Sequence, residues 1–200
     1  MKIKLFAAAA AMIILVSGAF AQDQPKREMT AEQKAQMDAW MKASTPSDAH
    51  KKLQDMIGTW DAKVTMWQAP GQPPQVSMGT SRVTSILGGR WIQQEFTGSA
   101  MGMPFTGIGY TGYDNVKKQY VGTWMDSMST SVMVSTGAAG SAPNTYEFTS
   151  SMDDPMSGKS MELKEKMTVV DANHQSWEMW MPSPDGNMFK TMQIDYTRKR

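Results

Sequence analysis

Cysteine is absent from this chain of 200 residues, and histidine occurs only twice, at His50 and His174. The absence of thiols excludes disulfide bonds, thiolate zinc sites, cysteine nucleophiles and iron–sulfur clusters. It also excludes the lipid-modified cysteine that anchors a bacterial lipoprotein. Two histidines are too few for a histidine-rich metal site.

An excess of one charge is also missing, because 20 Lys and Arg residues stand against 19 Asp and Glu residues. Neither sign forms a long run, which excludes the basic footprint of a typical nucleic-acid-binding protein. The chain is 40% hydrophobic and 20% charged, as in an ordinary water-soluble domain. After residue 16 no apolar run reaches the length of about 18 residues that spans a bilayer, so no stable membrane anchor is expected.

The beginning of the chain has the three parts of a secretory signal peptide. A cationic start, Met1 to Lys4, precedes an apolar stretch from Leu5 to Val16, and Ala19-Phe20-Ala21 has the small-x-small pattern of a cleavage site. The apolar stretch is about half as long as a membrane-spanning helix, which disfavours the alternative of a retained anchor. We therefore expect a signal peptide over residues 1–21, cleaved after Ala21, a flexible leader over residues 22–29, and a periplasmic or secreted protein.

Two helices are predicted between residues 30 and 57. Thr30 begins a capping-box pattern, and apolar residues then recur at helical spacing, which predicts a first helix over residues 30–43. A shorter helix follows over residues 45–57, and Gly58 ends it. His50 lies in the first turn of the second helix, where a partly exposed position is expected. The apolar residues of the first helix are Met37, Trp40 and Met41.

From Gly58 onward the hydrophobic period changes to two residues, and the chain is rich in Thr, Val, Trp, Tyr and Met. This pattern predicts about ten strands separated by short turns of Gly, Pro, Asn and Asp. The predicted strands span residues 59–68, 76–87, 90–98, 103–113, 119–126, 130–138, 145–151, 161–171, 175–181 and 188–198.

The short turns determine how these strands can pair. They cannot hold the crossovers of a parallel sheet, so an antiparallel meander is expected. Closing the meander removes both exposed edges, and glycines within or beside the strands between residues 102 and 122 favour the necessary bending. The predicted fold is therefore all-β, an antiparallel up-and-down β-barrel over residues 58–200 with an N-terminal helical extension. A two-layer sandwich is the alternative.

Four short motifs carry a resemblance to a known family. They are Gly58-Thr59-Trp60, Leu87-Gly88-Gly89-Arg90-Trp91, Gly107-Ile108-Gly109-Tyr110-Thr111-Gly112-Tyr113-Asp114 and Thr123-Trp124-Met125-Asp126-Ser127. With this combination, from about His50 to Arg198, the chain resembles the bacterial family catalogued as domain of unknown function 1579, whose members have no assigned reaction. The resemblance implies a fold similar to the calycin barrels, which include the lipocalins. In lipocalins a Gly-x-Trp on the first strand packs against an arginine near the end of the last, which implies that Trp60 contacts Arg198, with Arg90 as the competing partner.

A barrel of this size has room for a small ligand, and alternate side chains of each strand point into it. Faces that mix indole rings with one carboxylate suit an amphipathic molecule, because the rings supply apolar contact area and the polar group fixes orientation. We expect Trp91 and Trp124 to border an internal cavity, although tryptophans of a small β-domain also fill cores. The candidate ligand-binding residues are Trp60, Arg90, Trp91, Glu95, Tyr113, Trp124, Asp126 and Trp180.

No catalytic residue is predicted. The chain has no Gly-x-Ser-x-Gly elbow and no phosphate-binding glycine loop. Asp153 and Asp154 belong to a turn, and Glu162 and Glu165 fall on opposite faces of a strand, so neither pair suggests a general acid–base site. The sequence therefore gives no support to an enzymatic function.

Methionine is the one compositional excess, at 21 residues. Thioethers bind Cu(I), so a periplasmic copper-binding protein is one alternative function, and an envelope scaffold that docks a partner through Met37, Trp40 and Met41 is another. Methionine is also a flexible core filler, in which case most of these side chains should be buried with their sulfurs apart, Met101 and Met103 excepted. The sequence favours an exported module that binds a small apolar or amphipathic ligand, for which no metal or cofactor is predicted.

Overall fold

The structure, a computed structural model, describes residues 28–154, 157–183 and 185–200. The predicted signal peptide and most of the predicted leader lie outside these residues. The described chain divides after Asp38 into two units, and the larger one, from Ala39 to Arg200, contains the whole sheet.

The helices are short and precede the sheet. Helix α1 (Ala31–Ser44) begins with the predicted capping box, in which the Gln33 amide donates to Thr30 Oγ1 and the Thr30 amide donates to Gln33 Oε1. Its Trp40 side chain is 72% exposed. Helix α2 (Asp48–Leu53) is shorter than predicted, and the chain continues as a 3-10 turn (Gln54–Met56). Within the described ranges, neither helix has the length and apolarity needed to cross a bilayer.

Ten strands follow, close to the predicted positions. They are β1 (Gly58–Met66), β2 (Gln75–Ile86), β3 (Trp91–Ala100), β4 (Met103–Asp114), β5 (Gln119–Asp126), β6 (Met133–Ala139), β7 (Thr145–Asp153), β8 (Ser160–Val169), β9 (His174–Pro182) and β10 (Met188–Arg198).

Every strand pairs antiparallel with its neighbours along the chain, and β1 pairs with β10 to close a barrel. Closure runs from the pair Trp60 and Arg198 to the pair Met66 and Met192. A register shift between Lys190 and Met192 bends the last strand, as an irregularity in a ladder commonly does. The predicted up-and-down barrel is therefore confirmed, and the sandwich alternative is wrong.

The two ends of the barrel differ. At one end, called the closed end, α2 and the 3-10 turn contribute Leu53 and Met56 to a buried core that includes Trp60, Tyr120 and Tyr146. The hairpin turns that join β1 to β2, β3 to β4, β5 to β6, β7 to β8 and β9 to β10 lie at the opposite end, called the open end. The core thus occupies the half of the barrel next to α2.

His50 helps to fasten α2 at the closed end. Its Nδ1 accepts a hydrogen bond from the Ser47 amide at 2.9 Å, and its ring lies edge-on to Tyr113 at a centroid distance of 5.8 Å. The side chain is only 4% exposed, so the expectation of a partly exposed position is wrong. The burial of His50 comes from tertiary packing, because the face of α2 that carries His50 lies against Tyr113 of β4. The sequence around His50 does not specify this contact.

Stability is expected to depend on the protonation of His50. Burial lowers the pKa of His50 from its ordinary value of 6.5, and the Arg90 guanidinium lowers it further, although a hydrogen bond to the Tyr113 backbone acts the other way. As the pH falls below about 6.5, His50 therefore gains a proton in the unfolded chain before it does so in the folded chain. The contribution of neutral His50 to the free energy of unfolding is fully present above about pH 6.5 and is lost as the pH falls below this value.

Urea unfolding between pH 8 and pH 5 measures this contribution. The wild-type free energy of unfolding should fall more steeply toward pH 5 than that of His50→Gln, which keeps an acceptor for the Ser47 amide and does not titrate. His174 is exposed and unchanged in both proteins, so a difference between their pH profiles belongs to position 50. Parallel pH profiles of the two proteins would contradict the assignment.

Candidate functional site

The buried residues of β1 identify the inward face of the barrel. The pairing register then shows which residues of the other strands point inward. Trp60 and Ala62 are almost fully buried, whereas Asp61 and Lys63 are exposed. Because directly paired residues point to the same side of a sheet, each partner of an inward residue also points inward.

Inward side chains are more deeply buried in the closed half of this interior than in the open half. Near α2, inward side chains such as Ile92, Tyr120 and Tyr196 are buried. Toward the open end most inward apolar side chains are only half-buried, although Leu163 is fully buried. A groove of about 450 Å³ at the rim is bordered by Met66 and Ser77 together with the exposed Val76 and Met101. We call this half the open lumen and define it by Met66, Phe105, Trp124, Met133, Phe148, Trp177, Met179 and Met192.

Trp124 occupies one wall of the open lumen. Its indole lies across two glycines of β4, and a Cβ on Gly107 would collide with the ring, while one on Gly109 would lie 3.0 Å from Cε3. The indole Nε1 donates to Asp126 Oδ2 at 3.1 Å, and Asp126 Oδ1 accepts from the Met128 amide at 2.9 Å. The glycines therefore make room for the ring, and Asp126 fixes its orientation.

A buried carboxylate lies midway along the interior, at the inner edge of the open lumen. Glu165 on β8 is 7% exposed, and its Oε1 accepts hydrogen bonds from the hydroxyls of Ser135 at 2.9 Å and Ser150 at 2.5 Å. Its directly paired neighbours on the flanking strands are Phe148 and Met179. Sequence reasoning placed Glu162 and Glu165 on opposite faces but did not select Glu165, although it shares its face with Leu163 and Met167.

Several other polar groups in the interior are neutral. The Gln94 amide donates to Ser81 Oγ at 2.9 Å and to Tyr196 Oη at 3.3 Å. Burial raises the pKa of Tyr196 to about 12, and burial also raises that of Tyr120 to about 12, so both phenols stay protonated at neutral pH. Gln175 is buried as well, and its Oε1 has no hydrogen-bond partner among the described residues.

The contact predicted for Trp60 is present at the closed end. Trp60 is 1% exposed, and the Arg198 guanidinium carbon lies 4.1 Å from the centroid of its indole ring. Arg90 is not the partner, because its Nε and Nη2 instead donate to the Ser44 carbonyl at 3.1 and 2.8 Å. Arg90 thereby ties the end of α1 to the turn before β3.

The remaining predicted site residues divide between the two faces of the wall. Tyr113 points inward at the closed end, where it contacts His50 and Tyr120, and Trp124 and Asp126 point inward in the open half. The other three predicted residues point outward, namely Trp91, Glu95 and Trp180.

The expectation that Trp91 borders an internal cavity is therefore wrong. Its ring covers the outer face of Gly112, where a Cβ would lie 2.5 Å from it. Glu95 is exposed and lies 3.9 Å from Arg82, and Trp180 is paired with Lys164 and Lys190 on the outer surface. Alternation groups the residues of a strand into two faces, but the closure of the barrel decides which face is inside.

The methionines do not form a buried core. Among the methionines that the structure describes, Met56 alone is buried, so the expectation that most of them are buried is wrong. Met101, in the turn between β3 and β4, and Met103, the first residue of β4, are exposed, as predicted. The inward methionines instead lie in the half-open part of the barrel. Three of them, Met66, Met192 and Met179, are direct partners on the adjacent strands β1, β10 and β9.

Clusters of three or more His, Asp or Glu side chains that could hold a metal ion do not occur within the described ranges. Within the interior, one carboxylate, Glu165, is buried, and another, Asp126, accepts a hydrogen bond from the Trp124 indole at the wall.

The closed barrel, its helical cap and its Trp–Arg contact define a calycin-like protein. The chain belongs to the family described as protein of unknown function DUF1579, which it matches over residues 45–198. No curated protein matches its sequence.

Solved structures that are similar to this barrel include the following two. Rv2717c from M. tuberculosis has a TM-score of 0.55 and 13% sequence identity, with 78% of this chain and all of that chain covered. The S-type phycobiliprotein lyase CPES from Guillardia theta has a TM-score of 0.50 and 9% identity, with 80% of this chain and 97% of that chain covered. At these identities the likeness concerns the fold.

Proposed function

We propose that the protein binds a small apolar or amphipathic molecule in the open lumen. The observation that carries this proposal is the contrast between the two halves of the interior. Most inward apolar side chains of the closed half are buried by their neighbours, whereas those that define the open lumen retain exposed surface. A ligand that covers this surface gains roughly 25 cal/mol for each Å² removed from water.

We further propose that binding takes place outside the cytoplasm. The support is the signal-peptide pattern of residues 1–21, with its small-x-small site ending at Ala21. An exported barrel of this kind can carry a poorly soluble molecule through an aqueous compartment, because the lumen shields apolar surface from water.

Probe binding to matched variants tests the site. The neutral fluorophore N-phenyl-1-naphthylamine should brighten on binding, and Met66→Trp, which fills the mouth of the lumen, should weaken its affinity by about tenfold or more. Met78→Trp makes the same change on the outer face of β2 and should leave the affinity unchanged. Thermal unfolding of each variant confirms that it is folded. Equal affinities for Met66→Trp and Met78→Trp, or no binding by the wild type, would overturn the proposal.

Cu(I) binding is a second candidate function. It is favoured by the row of Met66, Met192 and Met179, because directly paired inward residues place their Cβ atoms about 5 Å apart and three thioethers can then approach one soft ion.

Native mass spectrometry of the protein isolated from its own cell envelope separates the two candidates. An organic mass released on denaturation, from a chain that begins at Gln22, is the expected result. Stoichiometric copper without an organic ligand would favour the second candidate instead, and a chain that retains residues 1–21 would contradict export with cleavage.

A further inference from the structure

The charges that face the interior of the barrel are unbalanced. Among the described strand residues that point inward, the charged ones are Asp126, Glu165 and Arg198. Arg198 belongs to the closed end, where it covers Trp60 and donates to backbone carbonyls. The open lumen and the region directly behind it therefore contain two carboxylates and no cation of the described strands.

Glu165 is held in place but is not neutralised. Ser135 and Ser150 both donate to Oε1, and no described residue forms a hydrogen bond or an ion pair with Oε2. The two hydroxyls come from different strands, β6 and β7, so they fix the position of the carboxylate relative to the wall. A carboxylate kept in one position with one free oxygen is a preorganised acceptor.

The surroundings of Glu165 make a carboxylate without a cationic partner energetically unfavourable. The inward neighbours along and across the strand are apolar, namely Leu163, Met167, Phe148 and Met179. A buried carboxylate without a cationic partner is unfavourable in such a medium. The lysines nearest in sequence, Lys164 and Lys166, cannot supply the charge, because they alternate to the outer face.

We propose that the ligand of the open lumen is a cationic amphiphile, an apolar chain or ring system carrying a protonated amine or a quaternary ammonium group that lies next to Glu165. This inference rests on the proposed function and specifies the chemical class of the ligand. The apolar part occupies the space beside Trp124, Trp177 and the inward methionines. Aromatic faces near the carboxylate, such as that of Phe148, attract a cation as well.

The same arrangement disfavours other amphiphiles. A fatty acid would bring its carboxylate toward Glu165 and Asp126, and like charges in a poorly hydrated site repel each other strongly. A neutral alcohol gains the apolar contacts and one hydrogen bond but leaves the charge of Glu165 unpaired.

Competition with three dodecyl compounds of equal chain length tests the inference. Dodecyltrimethylammonium, dodecanol and dodecanoate, each below its aggregation threshold, are used to displace N-phenyl-1-naphthylamine from the wild-type protein. The ammonium compound should bind more tightly than the alcohol by about tenfold, and the alcohol more tightly than the carboxylate. Equal affinities, or preference for the carboxylate, would overturn the inference in the wild type without recourse to a variant.

Two substitutions on one strand then locate the effect. Glu165→Gln keeps an acceptor for the two serine hydroxyls and removes the charge, and it should abolish the preference for the ammonium compound. Glu162→Gln removes a charge from the exposed face of β8 and should preserve the preference. A preference that survives Glu165→Gln would place the recognition elsewhere. If the neutral probe binds but the three dodecyl compounds displace it equally well, the inference fails and the proposed function stands. If the probe does not bind at all, both are refuted.

Discussion

Replacing Trp60 by alanine is expected to lower the free energy of unfolding by about 4 kcal/mol, because a fully buried indole is removed and a cavity is left. Trp60 is 1% exposed and belongs to the core that closes the barrel beneath α2. Its Nε1 donates to the Met56 carbonyl at 3.0 Å, and this carbonyl would lose its partner.

Urea unfolding monitored by far-ultraviolet circular dichroism measures the loss. Trp40→Ala is the matched control, because the same change on the exposed face of α1 should alter stability by no more than about 0.5 kcal/mol. A loss of less than about 1 kcal/mol for Trp60→Ala would show that the closed end does not depend on this side chain.

Replacing Arg198 by alanine is expected to cost about 3 kcal/mol, since one side chain makes a cation–π contact and several charged hydrogen bonds. The guanidinium stacks on Trp60 and donates to the carbonyls of Ile57 at 2.6 Å, Asp55 at 3.2 Å and Ala172 at 2.7 Å. It thus connects the last strand, the 3-10 turn and the turn before β9. Arg198→Lys keeps the charge but not the planar fork, and it should lose more than half of this stability.

Arg200→Ala is the control for Arg198→Ala, because it removes the same group from an exposed position two residues further on and should change stability by no more than about 0.5 kcal/mol. Calorimetry or urea unfolding of the wild type and the three variants measures the differences. If Arg198→Ala and Arg200→Ala were equally stable, the guanidinium at the closed end would have no structural role.

The order of strands and their pairing could be predicted because local rules specify them. Period-two patterns mark each strand, and turns such as the one at Gly88, with φ of 65°, are too short for anything except a hairpin. Each pairing therefore joins neighbours in the sequence, apart from the closure between β1 and β10. That closure was inferred from the cost of open edges.

The division between the inside and the outside of the barrel could not be predicted from one strand alone. On β9, Trp177 points inward and Trp180 points outward, although they are only three positions apart in the sequence. The pairing with β10 decides between them, because Trp177 is opposite Ile194 and Trp180 is opposite Lys190. A one-residue change in this register would exchange the two tryptophans.

Glu165 was missed for a related reason. A glutamate within a strand pattern is ordinarily assigned to the solvent face, since buried charges are rare. What makes its burial possible are the hydroxyls of Ser150 and Ser135, which are 15 and 30 residues away in sequence. Its parity with Leu163 and Met167 was the available signal, and it became informative only once the inward face was known.

Methyl NMR with labelled methionine tests the central claim, that the open lumen binds the ligand, most directly. On saturation with dodecyltrimethylammonium, the methyl resonances of the inward Met66, Met133, Met179 and Met192 should shift and show contacts to the alkyl chain. Those of Met78 and Met188, which lie on the outer face, should not. Alkyl contacts confined to Met78, Met188 or the exposed methionines of α1, with no change at the inward methyl groups, would contradict a binding site inside the barrel.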